Sequence, residues 1–281
     1  MTRQDLPLMR RWIAARVRFT LRTPRATFFT FVFPLMFLVI FNALNGDARV
    51  AAMGEAGGKV PFAQFYTPSI GIFGLTLACY TSVIFGLATA RDIGLLKRIQ
   101  GTPLPMPIYL GSWLTGAVLT GLASVVLMFV VAVPVFGVDI YPRMLPAAIV
   151  TLVLGAATLA ALGLAVASLV RTADQAMPVA QLTFLPLSFI SGIWYPLDGA
   201  PGWITTIAHI FPLYHLVNAF DACFVPQTTG GGWSWGDLGV LALWLAAATW
   251  VAVRRFHAEP AGGEPGRLRA RLSASRAGAP A

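Results

Sequence analysis

Apolar residues fall in six long runs separated by shorter polar segments: residues 27–44, 66–90, 109–136, 144–170, 176–195 and 238–253. None of the six contains an Asp, Glu, Lys, Arg or His. A helix needs about 20 mostly apolar residues to cross a hydrocarbon core roughly 30 Å thick. Five runs meet that length and the last is shorter. In lipid, backbone N–H and C=O groups must be satisfied within a helix or a closed barrel. The alternation of barrel strands is absent, so the pattern predicts an all-α membrane protein with six transmembrane helices. Pro34, Pro68, Pro134 and Pro178 fall within these runs, most near an end; Pro186 lies mid-run and predicts a kink in the fifth helix. A signal peptide accounts poorly for the first run, because its lead of about 26 residues exceeds an ordinary n-region and no small-x-small cleavage pattern follows.

The segments between the runs carry their own patterns. In residues 5–22, Leu8, Trp12, Ala15 and Phe19 recur at helical spacing, and Arg11, Arg18 and Arg22 form a neighbouring basic stripe. This predicts an amphipathic interfacial helix, apolar side toward the lipid and arginines near the headgroups. It either anchors the first span or also touches a partner. Residues 91–109 read RDIGLLKRIQGTPLPMPIY. Arg91, Asp92 and Gly94 open a short helix carrying Leu96, Lys97 and Arg98, and Gly101-Thr102-Pro103 ends it, because Pro103, Pro105 and Pro107 cannot continue it. Such a helix, held between two spans, can pass force from a soluble partner into the membrane; a solvated turn with stop-transfer charges is the alternative.

Residues 196–236 contain no Lys or Arg, and Pro201 and Pro212 each start a helical pattern. Trp203, Ile207 and Ile210 make one apolar stripe; Leu213, Leu216, Phe220 and Cys223 make a second. Each stretch is about 10–12 residues, too short to cross. The expectation is a re-entrant helical hairpin between helices 5 and 6, with Trp194, Tyr195, Trp203, Trp233 and Trp235 as its interfacial belt. His209, His215 and Asp221 form either a metal or catalytic group or a set of polar residues satisfied by neighbours. In the fourth run, Ala157, Ala161 and Ala165 stack with Gly155 and Gly163 nearby, a pattern that lets helices approach closely within the chain or across a dimer.

Charge orients this topology. Of the 20 Lys and Arg, only Arg49, Lys59 and Arg143 fall on the side opposite the N-terminus. That asymmetry places both ends in the cytoplasm. The net charge of +9 therefore reports topology and contact with anionic lipid, and nucleic acid is not an expected partner. With 57% hydrophobic and 11% charged residues, the chain has less than half the charge of a soluble domain, about a quarter of residues. Residues 1–255 form one transmembrane domain, and residues 256–281, rich in Gly, Pro, Ala and Arg, are expected to be a disordered basic cytoplasmic tail. Cys79 and Cys223 are expected to be free.

The chemistry is as spare as the charge. Ion-coupled carriers and channels usually place ionisable groups within the membrane, and no predicted span has one. Three His residues, none in a span, assemble no convincing hydrolase or metalloprotease set. Gly54 to Gly58 leads to Lys59, but Val60 follows where a phosphate-binding loop requires Ser or Thr. Transport against a gradient would therefore draw on a separate energy-supplying subunit.

Two segments resemble the ABC-2 type permease family. RDIGLLKRIQGTPLP resembles the loop after the second span, R-E-x-G-T-L followed by T-P-L. PLSFISGIWYPLDGAPGWITTIAHIFPLYHLVNAF resembles the family's signature around the fifth span: F-x-S-G with an aromatic-Pro pair and an acidic residue, then P-x-W, then P-L. Asp92 stands where Glu is usual and Leu95 where Thr is usual, which puts any precise contact of that carboxylate in doubt. The resemblance covers about residues 5–255 and is most like the daunorubicin and multidrug-resistance exporters; polysaccharide and lipid-linked glycan exporters share the fold.

The resemblance implies a membrane half-transporter without an ATPase site or cofactor of its own. ATP and Mg would sit in a cytoplasmic ATP-binding subunit, and a second permease would complete the dimer. By analogy Arg91, Asp92, Gly94, Leu96, Lys97, Arg98, Thr102 and Pro103 form the coupling loop, bordered by Arg11, Trp12, Arg18 and Phe19. Ser191, Gly192, Pro196, Asp198, Pro201, Trp203 and Pro212 would build the outer turn and hairpin. A hydrophobic drug, antibiotic or lipid-like substrate leaving the inner membrane is the expected cargo. Two rival readings are a membrane-embedded enzyme acting on lipid and a permease-like scaffold.

Overall fold

The computed structural model describes residues 5–46, 48–51, 59–102, 106–170, 172–197, 200–226, 228 and 230–258. Its order is α1 (Asp5–Arg22), α2 (Pro24–Thr27), α3 (Phe33–Leu44), β1 (Arg49–Ala51), β2 (Lys59–Pro61), α4 (Phe62–Thr76), α5 (Ser82–Asp92), α6 (Leu95–Gln100), α7 (Met106–Phe136), α8 (Leu145–Ala167), α9 (Ala173–Ile190), α10 (Gly202–Ala208), α11 (Pro212–Asp221) and α12 (Trp235–Ala258). The chain is mostly helical. Among the described residues, four helical segments are long and apolar enough to cross a membrane: Phe62–Asp92, Ile108–Phe136, Pro142–Ala167 and Trp235–Arg255. Phe28–Leu44 is apolar but shorter. α9 is 18 residues long and carries Asp174 in its first turn, with Gln175 and Gln181 further along, which dilutes its hydropathy.

Two features lie outside the sequence expectation. β1 and β2 form a small antiparallel ribbon, with Val50 opposite Val60. Two long helices also carry a π turn, Phe28–Val32 between α2 and α3 and Leu77–Thr81 between α4 and α5. A π turn is a local widening of the helical ladder, with i→i+5 hydrogen bonds, often found at functional sites. Each one here has a cross-helix partner on α7. Ser124 Oγ donates to Thr30 O at 2.8 Å, and Cys79 Sγ donates to Ala117 O at 3.5 Å. α9 runs as one helix through both Pro178 and Pro186.

The core runs along α4 and α5, the most enclosed of the long helices. α8 lies against it through small residues. A Cβ on Gly163 would stand 2.9 Å from Tyr80 O and 3.1 Å from Cys79 O, so α8 rests directly on the π-turn backbone. Gly155 likewise leaves room for the Leu216 side chain of α11. Both glycines of the small-residue pattern thus serve contacts within the chain. On its far side α8 meets α12, where Thr158 Oγ1 donates to Leu154 O (2.8 Å) and is 3.2 Å from Leu241 O.

Candidate functional site

Helices α1 and α6 pack against one end of the bundle, where residues Leu96 and Ile99 of α6 join a small core with Val83, Leu87, Tyr109 and Trp113. Sequence makes this local structure. α5 stops at Asp92, and Gly94 adopts φ +72°, a left-handed turn that suits a residue without a Cβ. The chain then re-enters a helix for only six residues, ending where Gly101 N donates to Arg98 O and Thr102 Oγ1 donates to Ile99 O at 2.7 Å. α6 turns Leu96 and Ile99 inward and leaves Ile93, Leu95 and Arg98 on the surface.

Arg91 and Asp92 tie this element to the next helix pair. Arg91 Nη1 donates to Ala167 O at 2.9 Å and to Val170 O at 2.5 Å, carbonyls at the C-terminal end of α8. A cation there also meets the negative end of the helix dipole. Asp92 Oδ2 accepts from Ala173 N, the first residue of α9, at 3.3 Å. The two residues just before α6 are thus hydrogen-bonded to the end of α8 and the start of α9. Of the coupling residues expected from sequence, Arg91, Asp92, Gly94, Leu96, Arg98 and Thr102 come together here. Pro103 lies outside the described residues, and of Lys97 only the backbone is described.

α1 occupies Asp5–Arg22, as its periodicity predicts, and lies along the start of α7. Trp12 meets Tyr109 edge to face, with centroids 5.9 Å apart. The contact that sequence reasoning missed is Arg16, whose guanidinium carbon lies 3.2 Å from the centroid of the Trp113 ring. Burial lowers the Arg16 pKa to about 10, against a smaller upward pull from Tyr109, so it stays charged at neutral pH. Its spacing four residues after Trp12 was the available signal. Arg11, Arg18 and Phe19 point away from the bundle and are exposed.

The opposite end holds the fifth-span turn and the hairpin. Ser191 is buried and donates to Ser188 O at 3.2 Å; Gly192 takes φ +85°. That turn drives Trp194 into an aromatic cluster, 5.5 Å from Phe37, 5.1 Å from Phe73 and stacked on Phe189 at 5.8 Å. Trp194 is thus a packing wedge, whereas Tyr195, Trp203 and Trp235 stay exposed. Pro196 is half-buried, Pro201 precedes α10, Pro212 opens α11, and Asp198 lies outside the described residues. Of the two expected stripes, Leu213, Leu216, Phe220 and Cys223 face the core, while Trp203, Ile207 and Ile210 face outward.

His209, His215 and Asp221 do not converge. His215 Nδ1 is 2.6 Å from Asp237 Oδ1, Asn218 Nδ2 donates to Asp237 Oδ2 at 2.8 Å, and the other His215 nitrogen, Nε2, lies 2.9 Å from His209 O. The hydrogen bond to Asp237 raises the His215 pKa, against a smaller opposing effect of burial. Asp221 is bound instead to α4, accepting from Ser69 Oγ at 2.8 Å, and burial pushes its pKa well above the usual carboxylate range. Among the described residues, no three His, Cys, Asp or Glu side chains form a metal-binding group. Cys79 and Cys223 are both free and buried.

Residues 10–225 match the ABC-2 type transporter family. The chain belongs to the ABC-2 type transporter family. It is similar to the inner membrane transport permease YadH of Escherichia coli K12, 23% identical over 80% of this chain and 88% of that protein. It is also similar to the putative transport permease YvfS of Bacillus subtilis 168, 21% identical over 82% of this chain and 89% of that one. With its apolar spanning helices, this ABC-2 type chain is a multi-pass inner membrane permease, and the family implies association with an ABC ATPase subunit.

Proposed function

We propose that the chain is the membrane subunit of an ATP-driven exporter, crossing the bilayer six times with both ends in the cytoplasm. Two copies, or this chain and a related permease, pair to form the path. A cytoplasmic ATP-binding subunit docks on α6 and the adjoining face of α1. A hydrophobic drug, antibiotic or lipid-like molecule is the cargo, moved by alternating access at the dimer interface.

The observation that carries this reading is the build of α6. It anchors inward through Leu96 and Ile99 and presents Leu95 and Arg98 outward; the turn before it exposes Ile93, and Arg91 and Asp92 at the end of α5 hold the ends of α8 and α9. An apolar pair beside a cation suits a partner groove on a soluble subunit, and rigid attachment to three helices suits force transmission. The hairpin reading is supported by Trp244, whose Nε1 donates to Ile210 O at 3.1 Å. Trp244 lies nine residues into α12, about 13–14 Å along its axis, so the hairpin tip dips well below the start of that helix.

Cells expressing the chain with its ATPase partner should accumulate less of a fluorescent anthracycline than cells without it. Replacing Ile93 and Leu95 together by Asp should restore accumulation while membrane insertion stays intact. Unchanged export in that variant would reject α6 as the coupling element.

A further inference from the structure

A partly open cleft of about 220 Å³ lies between α8, α9, the hairpin tip and α12. Its walls include Leu159, Leu162 and Val166 of α8, Leu187 of α9 and Leu213 of α11. The space far exceeds the roughly 10–15 Å³ that admits one water, yet water needs two to four polar partners to stay. The cleft offers none of the usual ones. Thr76 Oγ1 donates to Ile72 O at 2.8 Å, and Tyr80 Oη is bound to Thr183 Oγ1 at 2.7 Å. The Trp244 indole N–H is held by Ile210 O. Every polar side chain on the wall is engaged by the protein, so the surface left to a ligand is hydrocarbon.

The setting identifies which hydrocarbon. The exposed face of α12 is bracketed by Trp235 at one end and by Trp250 at the other, where Arg254 lies 4.1 Å from the Trp250 ring centroid. The two tryptophans are fifteen residues apart, about 22 Å along a helix. Aromatic rings at both levels with a snorkelling arginine beyond mark a lipid-facing surface. Leu243 of α12 and Leu182 of α9 are both largely exposed. Trp244 sits between the two belts, at acyl-chain depth.

We infer that this cleft seats one acyl chain of a phospholipid. The chain fills the gap between α9 and α12 and supports the hairpin tip through Phe211, which stacks on Trp244 with centroids 6.4 Å apart. Since bulk lipid is as apolar as the cleft, preference comes from close packing of the seated chain.

Photolabelling tests it. The full-length protein is reconstituted in bilayers containing a phosphatidylethanolamine with a diazirine in one acyl chain, irradiated, and its adducts mapped by mass spectrometry. Adducts should concentrate on the peptides bearing Leu159–Val166 and Thr183–Leu187. The expected enrichment is about tenfold over the exposed face of α7 at Val126 and Val130, matching a preference of roughly 1.4 kcal/mol. Leu187→Trp, which fills the cleft, should abolish the enrichment and leave α7 labelling unchanged; Val166→Phe serves if that variant fails to insert. Labelling equal at the cleft and on α7, unaffected by filling, or absent from the cleft because a second copy covers it would each overturn the inference. No ATPase or transport substrate enters the assay, so its outcome is independent of the proposed export function.

Discussion

Replacing Gly163 by Ala tests the contact on which the bundle turns. Two effects oppose each other. Ala is favoured over Gly in a helix by up to about 1 kcal/mol, which alone would stabilise α8. Against it, the new Cβ would meet Tyr80 O at 2.9 Å, Cys79 O at 3.1 Å and Tyr80 Cα at 3.2 Å. All three are backbone atoms, so no side chain can rotate away and the helices must separate. Overpacking of this kind costs about 1–3 kcal/mol. The net expectation is a loss of roughly 0–2 kcal/mol, and Gly163→Leu should lose considerably more. Gly239 of α12 supplies the internal control, because nothing lies within 4 Å of a Cβ built there. Gly239→Ala should be neutral or stabilising by up to about 1 kcal/mol. Thermal unfolding of purified protein can be followed with a thiol-reactive dye, since Cys79 and Cys223 are both free and buried. The order should be Gly239→Ala, then wild type, then Gly163→Ala, then Gly163→Leu. Gly163→Leu melting at or above wild type would refute the close seating of α8 on the π turn.

Other perturbations separate the remaining contacts. His215 gains its raised pKa from Asp237, so the pair contributes its full stability below the unfolded value near 6.5 and loses it as pH rises through the higher folded value. Asp237→Asn should flatten the pH dependence of melting above about pH 6.5. Asp221 acts in the same direction, starting from a lower pH. Its raised folded pKa means that the unfolded chain ionises first, so stability falls as pH climbs above about 3.9. Asp221→Asn should therefore stabilise the protein at neutral pH, with the gain shrinking toward pH 4. Arg16→Ala, which removes the guanidinium from the Trp113 face, should cost roughly 0.5–2 kcal/mol and loosen α1, read as faster proteolysis ahead of α2.

What sequence made legible follows from how local each cause is. The C-terminal end of α1 was readable because the Thr23-Pro24 break is local. The second, third, fourth and sixth apolar runs each lie on a helix long and apolar enough to cross. The expected crossings at 27–44 and 176–195 correspond to a shorter apolar helix and to one with polar residues in its first half. The π turns were not legible, because their signal is the close approach of α7 and α8 rather than any residue in the turn. His215 could be recognised as a polar residue needing a partner, but Asp237, 22 residues on, becomes that partner only when α12 folds against α11. Trp194 resembled a belt residue, and the positive φ of Gly192 turned it inward instead. The α6 end was more legible than the hairpin, because Gly94, the three prolines after Thr102 and the buried pair Leu96 and Ile99 are all encoded within one short segment.

The central claim is that a separate subunit drives this permease through α6. Solubilising the tagged full-length chain from its native membrane and identifying what co-purifies addresses it directly. The account expects a cytoplasmic protein with a phosphate-binding Walker loop, bound to wild type and lost from an Ile93→Asp, Leu95→Asp double variant that still inserts. Co-purification of no such protein, or turnover of a lipid by the isolated chain without ATP, would contradict it.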